Sequence, residues 1–427
     1  MLVTAAAASA VASGGSWSRP RELPGPPDST GGGSFTALSC ASRSDCTAVG
    51  IYHVRSGRYR FFAVTDRRGV WGKALGIAAP IAGKKVNLGG TPLLSCASAG
   101  NCAAGDFYWT SSQSGAFVVS EKNGTWGKAR KVRSTPTAIS CPAPGDCTAA
   151  LARGYLLTER HGTWRKAFPV PGLAALRHGQ PTEFGVISCP SPGNCTAARS
   201  YQDPAVNSRS FVITKRNGIW GKAQPVTSRQ GAGLAIAALS CPSAGNCVAG
   251  GYLYTLAGRE EAFAVTETHG TWGTAESLPG TLKLEAGIDQ LDSPAAGACS
   301  AAGLSGVGRG LVQPFVSTEK NGTWRTAQTI TGAGPGPSPA LGSLSCAAAG
   351  NCVLAGAIGV RGGIQAASAV QVNGCWGPAR VLRGMLALDR RHDSTIDAVS
   401  CPARSRCTAV GSFGILVSGH LFVTAQR

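Results

Sequence analysis

Seven cysteine pairs are the residues of this chain whose type and spacing could do chemistry. Each pair has the form Cys-x5-Cys, and nearly the same residues surround every copy, from "LSCASRSDCTAVG" at 38–50 to "VSCPARSRCTAVG" at 399–411. The pairs are Cys40/Cys46, Cys96/Cys102, Cys141/Cys147, Cys189/Cys195, Cys241/Cys247, Cys346/Cys352 and Cys401/Cys407. Such pairs could be disulfides, metal ligands or redox-active dithiols.

The residues around the pairs favour disulfides. If the runs on either side of x5 are strands of one hairpin, the two cysteines lie opposite each other, roughly 5 Å apart and within reach of an S–S bond. A metal site would need four convergent ligands, but no histidine recurs beside the pairs, and a redox dithiol is more often Cys-x-x-Cys. We therefore predict seven disulfides, no metal site and an oxidising compartment. Cys299 and Cys375 have no partner in this pattern, since Ser293 stands where the partner of Cys299 would be and Cys375 lies within the Gly-x-Trp motif "NGCW".

A second motif, Gly-x-Trp, runs in register with the cysteines. From the first Cys position to the Trp the spacing is 30 or 31 positions in six of seven repeats, and 23 in the third. Between the two motifs lie short apolar runs, such as "CTAVGIY" and "RFFAVTD", bounded by Gly, Asn, Asp and Pro. Runs of this kind are typical of strands joined as hairpins. The repeat is therefore one four-stranded antiparallel unit.

The ends of the chain complete each other. The last repeat stops at "LFVTAQR" without its Trp strand, whereas the N-terminus carries an orphan "GGSWSRPREL" with no preceding cysteine pair. The sequence predicts an all-β fold, an eight-bladed β-propeller of four antiparallel strands per blade, with the N-terminal strand completing the C-terminal blade. Residues 15–427 are expected to form this single domain. Residues 1–14, which are rich in alanine, are interpreted as a signal-peptide remnant or a disordered segment.

This order of motifs resembles the degenerate Asp-box repeats of secreted sialidase-like and photosystem-assembly-factor-like propellers. The resemblance extends over nearly the whole chain, although basic residues (Lys122, Arg160 and Lys320) fall where the box has its aspartate. It implies a propeller architecture and leaves the activity open, because such hairpins occur in enzymes, binding proteins and assembly factors alike.

The charge balance points to an anionic partner. Forty Lys+Arg against 21 Asp+Glu give a net charge of +19, which favours an anionic polymer, a polysaccharide or a protein as partner. No apolar run reaches the roughly 18 residues that a membrane span needs. We expect a monomer that is extracellular or bound to the cell envelope, with no cofactor, and we favour these partners over nucleic acid.

Length variation is concentrated in the loops after the second strand and after the fourth strand, which share one face of the ring. Binding residues are expected there, because variable loops on a rigid scaffold commonly carry function. The candidates pair aromatic rings with guanidinium groups, which suits sugars and anions. They are Tyr52, Arg55, Arg58, Tyr59, Arg60, Tyr108, Trp109, Tyr201, Tyr252 and Tyr254. The alternative is that several of these aromatics are core between blades. Lys73 and Lys128 fall on outer strands, away from these loops.

Catalysis would need carboxylates in the central channel. Asp289, His392, Asp393 and Asp397 lie on or just before innermost strands and are weak candidates for a glycosidase-like pair of acids. Acidic residues are scarce, however, and no nucleophile elbow or metal motif appears. The sequence thus favours a secreted binding propeller that is not catalytic. A glycosidase-like hydrolase and a protein-assembly scaffold are the alternatives.

Overall fold

A computed structural model describes residues 15–81, 86–89, 92–177, 182–204, 207–229, 231–282, 284–334, 341–414 and 419–426. They form eight antiparallel sheets arranged as the blades of a propeller. Each blade has four strands, and in seven blades the outermost is split into two short pieces that both pair with the third strand. The predicted all-β, eight-bladed fold is confirmed.

Blades 1 to 4 follow the order of the chain. Blade 1 contains β2 (Ser29–Ser42), β3 (Asp45–Val54), β4 (Arg58–Arg67), β5 (Val70–Trp71) and β6 (Leu75–Ile77). Blade 2 contains β7 (Asn87–Leu88), β8 (Leu93–Ser98), β9 (Asn101–Trp109), β10 (Ser114–Lys122), β11 (Thr125–Trp126) and β12 (Arg130–Val132). Blade 3 contains β13 (Pro136–Ala143), β14 (Asp146–Leu151), β15 (Tyr155–Arg160), β16 (Thr163–Trp164) and β17 (Phe168–Pro169). Blade 4 follows the helix α1 (Leu173–Arg177) and contains β18 (Thr182–Ser191), β19 (Asn194–Gln202), β20 (Ser208–Arg216), β21 (Ile219–Trp220) and β22 (Gln224–Pro225).

Blades 5 to 8 complete the ring. Blade 5 contains β23 (Gly231–Ser243), β24 (Asn246–Thr255), β25 (Glu260–Thr268), β26 (Thr271–Trp272) and β27 (Glu276–Ser277). Blade 6 contains β28 (Ala286–Ala295), β29 (Ala298–Gly308), β30 (Leu311–Lys320), β31 (Thr323–Trp324) and β32 (Gln328–Thr329). Blade 7 contains β33 (Ser343–Ala348), β34 (Asn351–Val360), β35 (Gly363–Val372), β36 (Cys375–Trp376) and β37 (Arg380–Val381). Blade 8 follows the helix α2 (Met385–Leu388) and contains β38 (Ser394–Ser400), β39 (Thr408–Phe413), β40 (His420–Ala425) and the N-terminal strand β1 (Arg21–Leu23).

The N-terminal strand closes the ring as the sequence predicts. β1 pairs antiparallel with β40, Arg21 opposite Val423 and Leu23 opposite Leu421. Trp17 forms a further bridge with Gln426. β40 therefore has a hydrogen-bonded neighbour on each side. Without β1 it would have an unpaired edge, which favours aggregation with other chains.

The seven predicted disulfides are present. Each joins the first two strands of a blade beside their connecting turn, with Cα atoms 3.9 to 4.1 Å apart. The bonds are Cys40–Cys46, Cys96–Cys102, Cys141–Cys147, Cys189–Cys195, Cys241–Cys247, Cys346–Cys352 and Cys401–Cys407. Cys299 and Cys375 are free, the first buried and the second exposed.

The second cysteine of each pair is buried in the core, although it lies beside a surface turn. These residues are only 1% to 4% exposed: Cys46, Cys102, Cys147, Cys195, Cys247, Cys352 and Cys407. Their sulfur atoms pack against the preceding blade, as Cys102 Sγ lies 3.6 Å from the Thr47 hydroxyl and Cys247 Sγ lies 3.4 Å from that of Thr196. They are therefore structural residues that no ligand in solution can reach.

The serine before the first cysteine of a repeat joins neighbouring blades. Its hydroxyl accepts a hydrogen bond, 3.0 or 3.1 Å long, from the backbone N–H of the first-cysteine position of the next blade. The pairs, acceptor first, are Ser39–Cys96, Ser95–Cys141, Ser140–Cys189, Ser188–Cys241, Ser240–Ser293, Ser345–Cys401 and Ser400–Cys40. In blade 6 the carboxylate of Asp292 takes the serine's place and accepts from Cys346 at 2.7 Å. Eight hydrogen bonds thus close a ring on the innermost strands.

The hydrophobic core lies between blades. Eight clusters of buried apolar side chains each contain residues of two adjacent blades, including the junction between blades 8 and 1. Because both faces of a blade pack against neighbours, the middle of a strand such as β3 is buried on both sides and not alternately. The blades therefore form a rigid ring from which the loops project.

Candidate functional site

One face of the ring is formed by the turns between strands 1 and 2 and between strands 3 and 4, and these turns are bonded to each other. The glycine N–H of the second turn donates to a backbone carbonyl of the first in seven blades, as from Gly124 to Gly100 at 2.8 Å. The glycine and the residue before it both have positive φ, for example 48° at Asn123 and 80° at Gly124, as a type I′ turn requires. We call this the turn face.

The opposite face, which we call the loop face, carries the connections between strands 2 and 3 and between successive blades. It carries a groove of about 1000 Å³ between the outer parts of blades 1 and 2. Arg58, Tyr59 and Arg60 line it on β4, and Lys128 lines it from blade 2. Apolar residues, among them Leu75 and Trp126, form the rest of the described wall, which contains no carboxylate. The groove can therefore offer positive charge and an aromatic surface to one ligand.

Three of the groove residues were predicted as binding residues. Tyr59 lies opposite His53 on β3, and the two rings are in contact with centroids 3.9 Å apart. Tyr59 is 37% exposed. Arg55, in the same hairpin, is also exposed but does not line the groove as described. Lys128 was expected to be remote from these loops, which is wrong, because the outer strand of blade 2 lies against blade 1 at this groove.

Three of the predicted aromatics are part of the core. Tyr52, Tyr108 and Tyr201 are 2%, 0% and 6% exposed. Tyr52 packs in the cluster between blades 8 and 1, and its hydroxyl donates a hydrogen bond of 2.9 Å to Asp28. Burial and this carboxylate raise the pKa of Tyr52. These side chains hold blades together and cannot reach a ligand in this structure.

The remaining aromatic candidates lie nearer the surface. Trp109 is 38% exposed and stacks on Phe107, with centroids 5.8 Å apart. Tyr252 and Tyr254 are partly buried on β24. The hydroxyl of Tyr252 donates to the carboxylate of Asp289 in the next blade. Of these three residues, Trp109 has the most exposed side chain.

Sequence reasoning missed a set of arginines at the tips of the hairpins between strands 2 and 3. Arg153, Arg259, Arg309 and Arg361 are not buried and occupy equivalent loops of blades 3, 5, 6 and 7. In blade 4, Arg209 lies at the start of β20 beside the corresponding loop, and pairs with Asp203 at 2.9 Å. The signal was present in the sequence, since Arg stands beside or near Gly in several of these hairpins, as in "ARGY" and "AGRE".

The catalytic candidates occur in blades 6 and 8 and make internal contacts. Asp397 lies at a bulge of β38 and accepts hydrogen bonds from the Phe35 N–H, at 3.1 Å, and from the Ser412 hydroxyl. Burial raises the pKa of Asp397 to about 7. Asp289 lies at the corresponding bulge of β28, and burial likewise raises its pKa. Each carboxyl therefore accepts a hydrogen bond from a neighbouring blade, Asp397 from Phe35 of blade 1 and Asp289 from Tyr252 of blade 5.

His392 and Asp393 precede β38. The His392 Nδ1 atom lies 2.9 Å from the Arg361 carbonyl oxygen, and the Asp393 N–H donates to Asp389 at 2.7 Å. Within the described ranges, no group of three or more His, Cys, Asp or Glu side chains is arranged to hold a metal ion. In the same residues, no helix is both long enough and apolar enough to cross a membrane.

No protein-family model and no curated protein matches the sequence. Solved structures do match the fold. Sqt1 of Chaetomium thermophilum, bound to the N-terminus of ribosomal protein L10, is 11% identical with a TM-score of 0.54, over 94% of this chain and 98% of that one. YCF48 bound to a D1 peptide is 12% identical with a TM-score of 0.43, over 80% and 96%. The Hadza microbial sialidase Hz136 is 10% identical with a TM-score of 0.41, over 93% and 66%. Sialidase and YCF48 propellers are thus among the structural neighbours, and at these identities the likeness establishes the fold alone.

Proposed function

We propose that this chain is a secreted binding propeller without catalytic activity that holds an anionic polysaccharide of the cell envelope or extracellular matrix on its loop face. The observation that carries the proposal is the groove between blades 1 and 2, where Arg58, Arg60 and Lys128 surround an aromatic and apolar wall. A uronic acid or sulfated sugar presents both a ring face and an anionic group, which match Tyr59 and the guanidinium groups.

The arginines at the hairpin tips extend this positive charge beyond the groove. Arg153, Arg259, Arg309 and Arg361 lie on the same face in other blades. A polymer could contact several of these points at once, so that weak individual contacts add up to useful affinity. A short ligand would occupy the groove alone.

The proposed location outside the cell is supported by the disulfides. Seven of them persist only in an oxidising compartment, as in secreted and envelope proteins, and they are present in every blade except blade 6. We also propose that a single chain is the binding unit, since the ring is closed by its own N-terminal strand.

Replacement of Arg58 and Arg60 by Ser tests the groove. Retention on an anionic glycan matrix should fall about tenfold, because exposed ion pairs contribute up to roughly 1 kcal/mol each and 1.4 kcal/mol corresponds to a factor of about ten. Added salt should weaken wild-type binding in the same direction, because screening acts over about 8 Å at physiological ionic strength.

Arg404 and Arg406 provide the matched control. They also lie two positions apart in one hairpin and are exposed, but they belong to the turn face of blade 8. Their double replacement by Ser removes the same charge and should leave retention nearly unchanged. Equal losses from both pairs would reduce the effect to diffuse basicity, and a glycan array without a single acidic or neutral ligand would contradict the proposal in favour of a protein partner.

A further inference from the structure

Blade 3 is shorter than the blades on either side of it. Its second and third strands, β14 and β15, have six residues each, whereas β9 and β10 of blade 2 and β19 and β20 of blade 4 have nine each. In all three blades the second strand begins one residue before the second cysteine of the pair. The difference therefore lies at the loop face, where blade 3 ends about 10 Å below its neighbours, since each strand residue rises by about 3.3 Å.

The short blade leaves the end of β9 uncovered. Leu151, the last residue of β14, corresponds in the repeat to Asp106 of β9, so the next three residues of β9 extend beyond blade 3. These are the aromatic residues Phe107, Tyr108 and Trp109. Tyr108 is fully buried in the cluster between blades 1 and 2. Phe107 and Trp109 therefore lie on the opposite face of the strand, toward blade 3, since successive side chains alternate.

The strand register of blade 2 gives the same direction for these rings. Phe107 is paired with Ala116, and Ala116 with Val132, so the three side chains share one face of the sheet. Val132 packs against the cluster between blades 2 and 3. Trp109 stacks on Phe107, with 27° between the ring planes. A Cβ on Gly89 would overlap the Phe107 ring, so this ring rests on the innermost strand and supports Trp109 from below.

Positive charge lies beside these rings. Tyr155, the first residue of β15, packs toward blade 2, and the Arg133 Cζ atom lies 4.6 Å from the centre of its ring. This cation–π contact holds the guanidinium group in place. Arg133 directly follows Val132, which is two strand spacings, or about 10 Å, from Phe107 across the sheet. Arg153 is exposed at the tip of the short hairpin of blade 3.

Among the described residues, no exposed carboxylate lies at this end of blades 2 and 3. Residues 86–172 contain four acidic side chains. Glu121, Asp146 and Glu159 lie at the turn-face ends of their strands, and Asp106 is buried. The loop-face end is therefore basic, which favours an anionic ligand.

Only the side of the gap that belongs to blade 2 is open. After blade 3 the chain forms the helix α1, whose Leu173 packs in one cluster with Tyr201 of blade 4. Trp109 has no such cover in the described part of the chain and stays exposed. We call the resulting surface the blade 2–3 step, which consists of Phe107, Trp109, Arg133 and Arg153.

We propose that the blade 2–3 step is a second site for acidic sugars, in which a pyranose ring stacks on Trp109 and the carboxylate or sulfate of the neighbouring sugar bonds to Arg133 and Arg153. An aromatic ring suits the apolar face of a sugar, and guanidinium groups donate charge-assisted hydrogen bonds to anions. This site rests on the proposed polysaccharide function and adds the place where a sugar ring is held. The groove lies on the other side of blade 2, against blade 1, so the two sites hold separate parts of one polymer.

The probes for the test are tetrasaccharides of galacturonic acid and of heparin, titrated by calorimetry at constant ionic strength. The parent chain carries Arg58→Ser and Arg60→Ser, so that the groove contributes little, and it should still bind one of the probes saturably. In this parent, Trp109→Ala should weaken binding about tenfold, because it removes the stacking surface. Trp109→Phe keeps an aromatic face and should retain most of the affinity.

The charged half of the step has its own variants. Arg133→Ser together with Arg153→Ser should weaken binding of the probe about tenfold as well. Arg404→Ser together with Arg406→Ser removes the same charge from the turn face and should leave the affinity unchanged. Ile219→Ala, which truncates an exposed apolar side chain on the turn face of blade 4, is the matching control for Trp109→Ala.

The outcomes separate the step from the groove. Loss in Trp109→Ala, with retention in Trp109→Phe and Ile219→Ala, supports the step. If wild type is retained on an anionic glycan matrix but the parent binds neither probe, or binds equally well after Trp109→Ala, the step is overturned and the polysaccharide proposal stands. Equal losses from the two arginine pairs also overturn it.

Two further results would reassign the surface. A wild-type chain that binds no acidic glycan contradicts the polysaccharide proposal, and the step with it. Tighter binding of poly-glutamate than of either tetrasaccharide, with the same loss in Trp109→Ala, would assign the step to an acidic protein segment and overturn the sugar. Far-ultraviolet circular dichroism confirms that each variant is folded.

Discussion

At the scale of single residues, blade 6 shows what the cysteine motif contributes. Ser293 stands where the other repeats have their first cysteine, and its hydroxyl is in contact with the buried thiol of Cys299. The backbone of Ser293 still makes the hydrogen bond to Ser240 that joins blades 5 and 6. The strand pairing is therefore independent of the disulfide, which only cross-links a hairpin that already forms.

Ser293→Cys should create an eighth disulfide with Cys299. The other seven pairs have the same separation of six positions on the same two strands, so the geometry is already in place. Closing so short a loop should raise the free energy of unfolding by about 2 kcal/mol in the chain-entropy model. Peptide mapping without reduction and a count of free thiols would detect the bond. Ser293→Ala is the control, and a Ser293→Cys chain that keeps both thiols free would refute the prediction.

The cysteines and the serines beside them differ in how far the sequence reveals their role. The disulfides were predictable because both partners lie in one hairpin, six positions apart. The interblade hydrogen bond of Ser39 was not, because its partner Cys96 is 57 residues away. Lys215 was equally hidden, since a lysine at the end of a strand is normally exposed, but here it shares the strand face of Phe211 and Ile213 that packs against blade 3 and is only 7% exposed.

At the scale of elements, the strand β1 carries the closure of the ring. Leu23 is 4% exposed within the cluster between blades 8 and 1, and the Trp17 Nε1–H donates to the Ser368 hydroxyl of blade 7 at 2.9 Å. Without β1, the strand β40 would present unpaired backbone groups along its outer edge. Such an edge favours pairing with other chains.

Deletion of residues 1–23 should lower the melting temperature by several degrees and promote association. A chain that begins at residue 15 keeps Trp17 and β1 and should melt like the full chain. Differential scanning calorimetry with light scattering measures both effects. An unchanged melting curve after the longer deletion would show that the ring does not need its N-terminal strand.

Strands were easier to predict than the exposure of the residues they carry. The eight repeats of apolar runs and turns were enough to predict the number of blades and the closure of the ring by the N-terminal strand. The burial of Tyr52, Tyr108 and Tyr201 depended on how far the neighbouring blade extends at the loop face, which a single repeat does not encode. Lys128 lies between the two outermost strand pieces of blade 2, and it was not expected to line the groove with Arg58, because the sequence does not show how blade 2 packs against blade 1.

At the scale of the whole molecule, a strongly basic chain keeps many of its few carboxyl groups inside. Burial raises the pKa of eight of them: Asp66, Glu121, Glu159, Glu267, Asp289, Asp292, Glu319 and Asp397. They lie between blades or on innermost strands, where water is excluded. The outward surface is therefore more positive than the composition suggests, which suits a partner of negative charge.

These buried carboxyls give the whole propeller an expected pH dependence. Burial raises the pKa of Asp66 and Asp292 to about 6 and that of Asp397 to about 7, against the usual 3.8 of an exposed aspartate. Between about pH 4 and pH 7 the folded chain thus binds more protons than the unfolded chain, so the free energy of unfolding should fall as pH rises.

Urea unfolding at constant ionic strength should therefore give a protein that is more stable at about pH 5 than at about pH 7.5, by on the order of 3 kcal/mol, since one unit of pKa shift corresponds to about 1.4 kcal/mol. Below about pH 4 the contribution of these three aspartates to the free energy of unfolding no longer changes with pH. The Asn207 N–H and Arg209 lower the pKa of Asp203, so protonation of Asp203 at still lower pH should destabilise the folded chain. Asp397→Asn resembles the protonated side chain and can still accept from Phe35, so it should flatten the profile between about pH 4 and pH 7. The exposed Glu276→Gln should leave that profile as it is, and a wild-type stability that rises over the same interval would show that the interblade carboxyls are ionised without cost.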